Sequence, residues 1–201
     1  MKALKKDFFI QDTLTVARQL IGCYIVRLWQ DSAIIGRLTE TEAYIGKIDK
    51  ACHAYNVPPT KPSRAKSMFL EGGSMYVYFI YGMHFCLNIV TEKEGEAAGV
   101  LLRSAEILPD SMETAALLRY NKNFAKLSKA ETKNLANGPG KLCKALGINM
   151  AQNGLALGKE SGIFITKSDQ DLNSDIKASP RIGLGNCGEA KDFLWRFYVQ
   201  S

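Results

Sequence analysis

Apolar residues recur at helical spacing in three segments of the chain. Between positions 14 and 21 they fall on one face of a helix, with Asp12 placed as its N-terminal cap and Gly22 at its end. A second helix is predicted to begin at DSME and to run to about Tyr120, and a third to occupy NGPGKLCKALGI, with Pro139 in its first turn. The predicted helices are therefore few and short.

Between these helices the pattern is typical of strands. The strand-like segments are CYIVRLW, AIIGRLTETEAY, MYVYFIYGMHFCLNIV, GVLLRSAEIL, GIFIT and LWRFYV. The third of them predicts a hairpin that reverses at Tyr81 and Gly82. Because strands and helices do not alternate regularly, we predict a single α+β domain over residues 1–201, with a curved, largely antiparallel sheet and peripheral helices.

The predicted strand over residues 34–44 carries the first candidate chemistry. A period of two places Leu38, Glu40, Glu42 and Tyr44 on one face. Two explanations fit this face: an exposed polar strand end, or carboxylates beside an opening walled by aromatic rings. Periodicity alone leaves Glu40 and Glu42 equivalent.

The predicted hairpin holds more tyrosines than a core needs. Tyr76 and Tyr78 share one side of it, whereas Phe79 and Phe85 are expected in the core. A tyrosine at the turn has no covering layer, so Tyr81 is displayed to solvent or to a partner.

Two polar residues interrupt apolar runs in the predicted strands, Asn88 and Arg103. A buried polar group needs a partner, so each is either a satisfied structural group or part of a pocket, and a nearby carboxylate would suit Arg103. The segment NGPGK lacks the GxxxxGK[ST] spacing of a phosphate-binding loop, which excludes a nucleoside triphosphatase of that type.

Composition narrows the class of protein. The chain is 46% apolar and 23% charged, with no apolar run long enough for a membrane helix and no export signal, which predicts a soluble protein. Lysine and arginine outnumber aspartate and glutamate by 26 to 20, and the net charge of +6 is compatible with binding nucleic acid. Five scattered cysteines without a CxxC pair, and only two histidines, favour reduced thiols and no metal site.

Several segments together resemble one family. They are TETEAY with ACH beyond it, YVYFIYGMHFCLN, VLLRSAE, NGPGKLCKALGI, and PRIGLGNCGE followed by RFY. In this order they are similar to the mammalian-type 3-methyladenine (alkyladenine, methylpurine) DNA glycosylases, which excise damaged purines in base excision repair. The match runs from Phe8 to Tyr198. It implies a monomeric hydrolase without metal or cofactor, of mixed fold with a protruding β-hairpin, that acts on double-stranded DNA.

The resemblance also implies catalytic roles. Glu42 would be the general base that deprotonates the attacking water, and Arg103 would help to hold that water together with the main-chain carbonyl at Ile182. This agrees with the chemistry, since a carboxylate stabilises the oxocarbenium-like transition state of glycosidic cleavage while it orients water. No lysine aligns with a Schiff-base nucleophile, so we expect a monofunctional enzyme without lyase activity.

The resemblance further implies a pocket for an extruded base. The base would lie between Tyr44 on one face and His53 with Tyr78 on the other. Tyr81 at the hairpin tip would enter the minor groove and fill the gap left in the duplex. Asn88 would border the pocket floor and disfavour guanine by crowding its exocyclic amine.

Basic residues supply candidate phosphate contacts. The proline-rich segment 57–67 is expected to be an exposed cationic loop, and the candidates are Lys61, Arg64, Lys66 and, near a helix N-terminus, Lys141. Plain solvated charge explains these residues equally well.

Two other functions fit parts of the pattern. One is a non-catalytic module that binds damaged DNA, in which Glu42 is structural; the other is an enzyme that acts on RNA or free nucleosides. We expect a protein that is not secreted: cytoplasmic and nucleoid-associated in a prokaryote, nuclear in a eukaryote. The range of lesions is left open.

Overall fold

The computed structural model describes residues 2–61, 63–168 and 175–199. Within these ranges, eight strands form one open antiparallel sheet, accompanied by short helices. The strands are β1 Tyr24–Trp29, β2 Ser32–Ile45, β3 Met75–Ile80, β4 His84–Thr91, β5 Ala98–Ile107, β6 Ile163–Thr166, β7 Lys177–Ser179 and β8 Arg196–Tyr198. The helices are α1 Lys6–Phe9, α2 Thr13–Gln19, α3 Met112–Tyr120, α4 Lys129–Lys133 and α5 Pro139–Ala145. The predicted α+β class is confirmed.

Strand β2 is the centre of the sheet. The strands follow the order β3-β4-β5-β2-β1-β6, with β8 on β2 and β7 on β8. Residues 32–37 of β2 pair with β1, whereas residues 40–42 pair with β8. The end of β2 that carries the two glutamates is therefore enclosed by β5 on one edge and β8 on the other.

A double irregularity interrupts the pairing of β2 with β5. The register shifts on either side of Glu40, so that Thr39 on β2 and Arg103 on β5 have no residue opposite them. Leu38, before the shift, is fully buried in the larger of the two hydrophobic clusters, which we call the main core. The prediction that Leu38 shares a face with Glu42 is wrong, because one extra residue reverses which face the following side chains occupy.

Beyond the bulge, β2 separates core from cavity. Ala43 lies in the main core, and Thr41 Oγ1 donates a hydrogen bond of 2.8 Å to the carbonyl of Ala17 in α2. Glu42 and Tyr44 alternate with these residues and point to the opposite side of the sheet. There, Tyr44 packs on a second, smaller buried cluster of Cys52, Ala54, Ala65, Met68, Tyr76, Val90 and Ala97.

The predicted hairpin is present and stands at the sheet edge. Tyr81 and Gly82 both have positive φ, 53° and 66°, and the Met83 amide closes the turn on the carbonyl of Ile80. Tyr81 is 77% exposed and Met83 68%. Phe79 was predicted to lie in the core, but it is 48% exposed, because it lies toward the hairpin tip, beyond the buried Met75 and Val77 of the same strand face.

The predicted helices are confirmed. The carboxylate of Asp12 caps α2 by accepting a hydrogen bond of 2.9 Å from the amide of Thr15. The residues before α5 bind to the bulged strand: the Gly138 amide donates to the carbonyl of Arg103. In the described ranges, no helix has the length and apolar character that crossing a membrane requires.

Candidate active site

A cavity of about 550 Å³ opens on the side of the sheet opposite the main core. Its lining comes from the end of β2 and the loop that follows, the β3–β4 hairpin, β5, the start of α5 and the segment 182–187. The residues of its wall that bear aromatic or polar groups include Tyr44, His53, Tyr76, Tyr78, Asn88 and Arg103. Residues far apart in sequence thus line the same cavity.

Glu42 is held by three donors. Its Oε2 accepts a hydrogen bond of 2.8 Å from the hydroxyl of Tyr44, and its Oε1 accepts one of 2.8 Å from the amide of Ile182. Nη1 of Arg103 lies 3.3 Å from the same Oε1. A carboxylate has about four acceptor positions, so one position on Oε2 is left over.

The carboxylate of Glu42 lies directly behind the cavity wall. Its side chain is fully buried, whereas Tyr44, Arg103 and Ile182, its three donors, all contribute to the wall. Of the three contacts, the one from Arg103 is the longest. The Arg103–Glu42 contact is therefore the weakest of the three.

Glu40 holds Arg103 from the other side. Its Oε1 accepts hydrogen bonds from Nε of Arg103, at 2.8 Å, and from Nε of Arg196 on β8, at 2.5 Å. Burial acts to lower the pKa of Arg103, but the charges of Glu42 and Glu40 outweigh it, so the pKa is raised. The bulge on β5 therefore aims one fixed cation at both carboxylates.

Aromatic rings form the apolar wall of the cavity. Tyr78 contacts His53 edge to face, with ring centroids 4.6 Å apart, and stacks against Tyr76 at 5.3 Å. Tyr44 lines the cavity as well. Burial raises the pKa of the Tyr44 phenol, and the neighbouring charge of Glu42 raises it further, so its hydroxyl keeps its proton.

His53 is a neutral member of this wall. Burial lowers its pKa to about 4, with a smaller contribution from the charge of Arg64. Its Nδ1 shares a hydrogen bond of 2.8 Å with the hydroxyl of Tyr76, which fixes the orientation of the ring. At neutral pH, His53 therefore presents an uncharged ring to the cavity.

Three further predicted site residues, Asn88, Ile182 and Tyr81, also line the cavity. Asn88 is buried in the cavity wall and donates a hydrogen bond of 3.2 Å to the carbonyl of Tyr76. Ile182 contacts Glu42 through its amide, and the predicted role of its carbonyl stays a prediction. Tyr81 also lines the cavity, at its exposed rim.

The predicted basic residues divide into two groups. Lys141 lines the cavity and reaches Asn134 Oδ1 at 2.5 Å. Lys61, Arg64 and Lys66 are exposed and do not belong to the cavity wall. Within the predicted loop 57–67, Pro62 lies outside the described residues. Sequence reasoning missed Lys50, an exposed wall residue without an obvious motif around it.

A buried ion pair was also missed. Nη1 of Arg181 lies 2.5 Å from Oδ2 of Asp49, and Nη2 lies 2.8 Å from Oδ1, with both side chains fully buried. The only sequence signal was that Arg181 belongs to PRIG, one of the segments that carry the family resemblance. Across the part of the chain that the structure describes, there is no cluster of histidine, cysteine, aspartate and glutamate that could hold a metal ion.

Comparisons with known proteins agree on one family. The family model described as methylpurine-DNA glycosylase matches residues 7–201. A protein of Clostridium perfringens (strain SM101 / Type A) is 44% identical over 199 residues, which cover 98% of this chain and 95% of the relative. A Clostridium tetani protein is 43% identical over 197 residues, covering 98% and 95%.

A third relative, from Clostridioides difficile (strain 630), is 40% identical over 205 residues, which cover 98% of this chain and 100% of the relative. Each of the three carries the name 3-methyladenine DNA glycosylase as a provisional assignment. Both the family model and these relatives span nearly the whole chain, including every segment on which the resemblance rests. The chain therefore belongs to the methylpurine-DNA glycosylase family of DNA repair enzymes.

Proposed function

We propose that this protein excises alkylated purines from double-stranded DNA by hydrolysing the N-glycosidic bond, and leaves an abasic site. Family membership supports the reaction class. The observation that carries the mechanism is the buried carboxylate of Glu42, held by three donors directly behind an aromatic cavity. A buried glutamate with a purely structural role would not need to lie next to a cavity.

Glu42 acts as the general base. The nucleophilic water binds beside Arg103 at the remaining acceptor position of Oε2 of Glu42, so that Arg103 orients it and Oε2 accepts its proton. The same carboxylate stabilises the positive charge that develops on the sugar as the bond to the purine breaks. Because Glu40 holds Arg103 through Nε, the Nη groups at the other end of the planar guanidinium face Glu42 and the water.

The rings of the cavity wall recognise the lesion. A purine alkylated at N3 or N7 carries a positive charge, so it leaves without strong acid catalysis. Aromatic faces attract such a cation by about 0.5 to 2 kcal/mol each. His53 is neutral because its pKa is lowered to about 4, so it does not repel the charged base.

The target nucleotide reaches the cavity by extrusion from the duplex. Extrusion costs a few kcal/mol, and less for damaged or mispaired bases. Tyr81, at the exposed hairpin tip and the rim of the cavity, offsets part of this cost by occupying the gap in the base stack. Lys141 and Lys50 at the cavity wall are the basic residues best placed to bind the flanking phosphates.

We propose a monomeric enzyme that needs no cofactor. Its bacterial relatives favour the prokaryotic setting, in which it works in the cytoplasm on nucleoid DNA. We propose that it has no lyase activity, although two lysines, Lys50 and Lys141, line the cavity.

The direct test is to incubate the purified protein with methylated duplex DNA and to separate the products by chromatography. Free methylpurine together with intact but alkali-labile strands is the expected result. Tight binding to damaged DNA without release of base would instead identify a non-catalytic binding module. Borohydride reduction during the reaction should trap no protein–DNA adduct, and an adduct would show that one of the lysines forms a Schiff base.

A further inference from the structure

The ion pair of Asp49 and Arg181 joins the segments that carry the active site. Nη1 of Arg181 donates a hydrogen bond of 2.8 Å to the carbonyl of Ala43, the residue between Glu42 and Tyr44. Nη2 donates one of 3.0 Å to the carbonyl of Ala190. Arg181 therefore connects β2, the loop after β2 and the segment before β8 in one set of contacts.

The pair lies next to each element of the catalytic arrangement. Arg181 precedes Ile182, whose amide holds Glu42. Asp49 begins the turn that leads to His53, and its Oδ1 also accepts a hydrogen bond of 2.9 Å from the Ala51 amide. A displacement of either charged side chain would move both the general base and the wall opposite it.

The guanidinium of Arg181 also supports the Tyr44 ring. Its central carbon lies 4.6 Å from the centroid of Tyr44 and 5.1 Å from that of Trp195. The Trp195 carbonyl accepts a hydrogen bond of 2.9 Å from the Ala43 amide. The amide and the carbonyl of Ala43 in β2 are therefore both hydrogen-bonded, the carbonyl to Arg181. The planar fork of arginine can make these bidentate and stacking contacts together, whereas a lysine ammonium cannot.

We propose that the Asp49–Arg181 pair is the positioning device of the active site: it fixes the Ile182 amide against Glu42 and holds Tyr44 in place from behind. This inference rests on the proposed excision reaction. Neither residue belongs to the cavity wall, so both act through Glu42 and Tyr44 rather than on the substrate. Both side chains are fully buried, and four hydrogen bonds engage the two Nη groups of Arg181, whereas its buried Nε has no hydrogen-bond partner in the described structure. Removing one partner of such a buried pair is strongly destabilising.

The test compares Arg181→Lys with Ile163→Val, a conservative change in the main core at the sheet edge farthest from the hairpin. Two quantities are measured for each variant: the single-turnover rate constant for methylpurine release at saturating protein, and the affinity for a duplex with a tetrahydrofuran abasic analogue. The analogue has no base to contact Tyr44, so its binding reports on the DNA surface alone. Urea unfolding gives the folded fraction of each protein.

We expect Arg181→Lys to lower the rate constant about 10- to 100-fold, the size of effect that misplacement of a catalytic group by about 1 Å produces. Its affinity for the analogue should change less than about threefold, and Ile163→Val should change neither quantity by more than that. Equal rate losses in both variants at equal folded fraction, or an affinity loss as large as the rate loss, would overturn the proposal.

If Arg181→Lys does not fold, Asp49→Asn takes its place, because it keeps the shape of the side chain while it removes the charge and one of the two oxygens that accept from Arg181. The same split between rate and affinity is expected, and a normal rate constant in folded Asp49→Asn would refute the positioning role. A wild-type protein that releases no methylpurine is a separate outcome, which removes the proposed function itself.

Discussion

The hydroxyl of Tyr44 donates a hydrogen bond of 2.8 Å to Oε2 of Glu42, two positions earlier on the same strand. One residue thus contributes its ring to the cavity wall and its hydroxyl to the candidate general base. The two positions share a face because both follow the bulge in β2. In the proposed mechanism, recognition of the base and activation of water are therefore linked through one side chain.

Replacing Tyr44 by phenylalanine separates these two contributions. Tyr44→Phe keeps the ring but removes a hydrogen bond to a charged acceptor, which is worth about 1.5 kcal/mol. We expect the single-turnover rate constant for methylpurine release to fall about tenfold, while binding to damaged duplex stays within about twofold. A loss of affinity without a change in rate would assign Tyr44 to the wall alone.

Glu40 and Glu42 should respond differently to the same change. Glu40→Gln leaves an amide oxygen that can still accept from Arg103 or Arg196, so we expect a rate loss of about fivefold, roughly 1 kcal/mol. Glu42→Gln should be far more severe. If the two variants lose the same activity under single-turnover conditions, the carboxylates act jointly and the assignment of one base is wrong.

Tyr81 gives a test of the duplex substrate. Tyr81→Ser removes a ring that stacks in the gap of the duplex, and stacking on a base is worth about 1–3 kcal/mol. Affinity for damaged duplex should fall at least about fivefold, measured by fluorescence anisotropy. The matched control is Leu117→Ser, another exposed apolar residue, on α3 and outside the cavity wall.

An unchanged affinity of Tyr81→Ser for damaged duplex would contradict the proposal that Tyr81 fills the gap in the base stack. Full activity of that variant on RNA or free nucleosides, with none on duplex DNA in the wild type, would identify a different substrate class. The Leu117→Ser control should match the wild type in both assays.

His53 predicts how stability depends on pH. Its pKa is lowered to about 4 in the folded state by burial, against an ordinary value near 6.5 in the unfolded chain. Between pH 6.5 and 4 the unfolded state binds the additional proton, so the free energy of unfolding decreases as the pH falls through this window. The urea midpoint of the wild type should drop more steeply from pH 7 to pH 4.5 than that of His53→Gln. Parallel curves would mean that His53 is not held neutral.

The strands, the helices and the hairpin follow from local patterns, which is why the sequence predicts them well. The bulge in β2 does not, because it depends on pairing with β5, more than 60 positions later. Period-two alternation therefore placed Leu38 beside Glu42, although it lies in the main core. The residues around Glu42 were predicted from the family resemblance, not from periodicity. In the structure, Tyr44, Arg103 and Ile182 all contact its carboxylate.

The Asp49–Arg181 ion pair could not be predicted from local sequence patterns. The two residues are 132 positions apart, and each is an ordinary charged residue in its own segment. Burial of both charges becomes visible only when the sheet brings the loop after β2 against the segment before β8. Similarly, nothing near Lys50 in the sequence indicates that it lines the cavity.

In the proposed mechanism, Glu42 activates the water that cleaves the glycosidic bond. The most direct measurement compares Glu42→Gln with the wild type for release of free methylpurine from methylated duplex DNA in single turnover, with binding to the same DNA measured in parallel. We expect a rate loss of at least about 10³-fold with affinity retained, since the amide cannot accept the proton. A Glu42→Gln protein that releases methylpurine within about tenfold of the wild-type rate would contradict it.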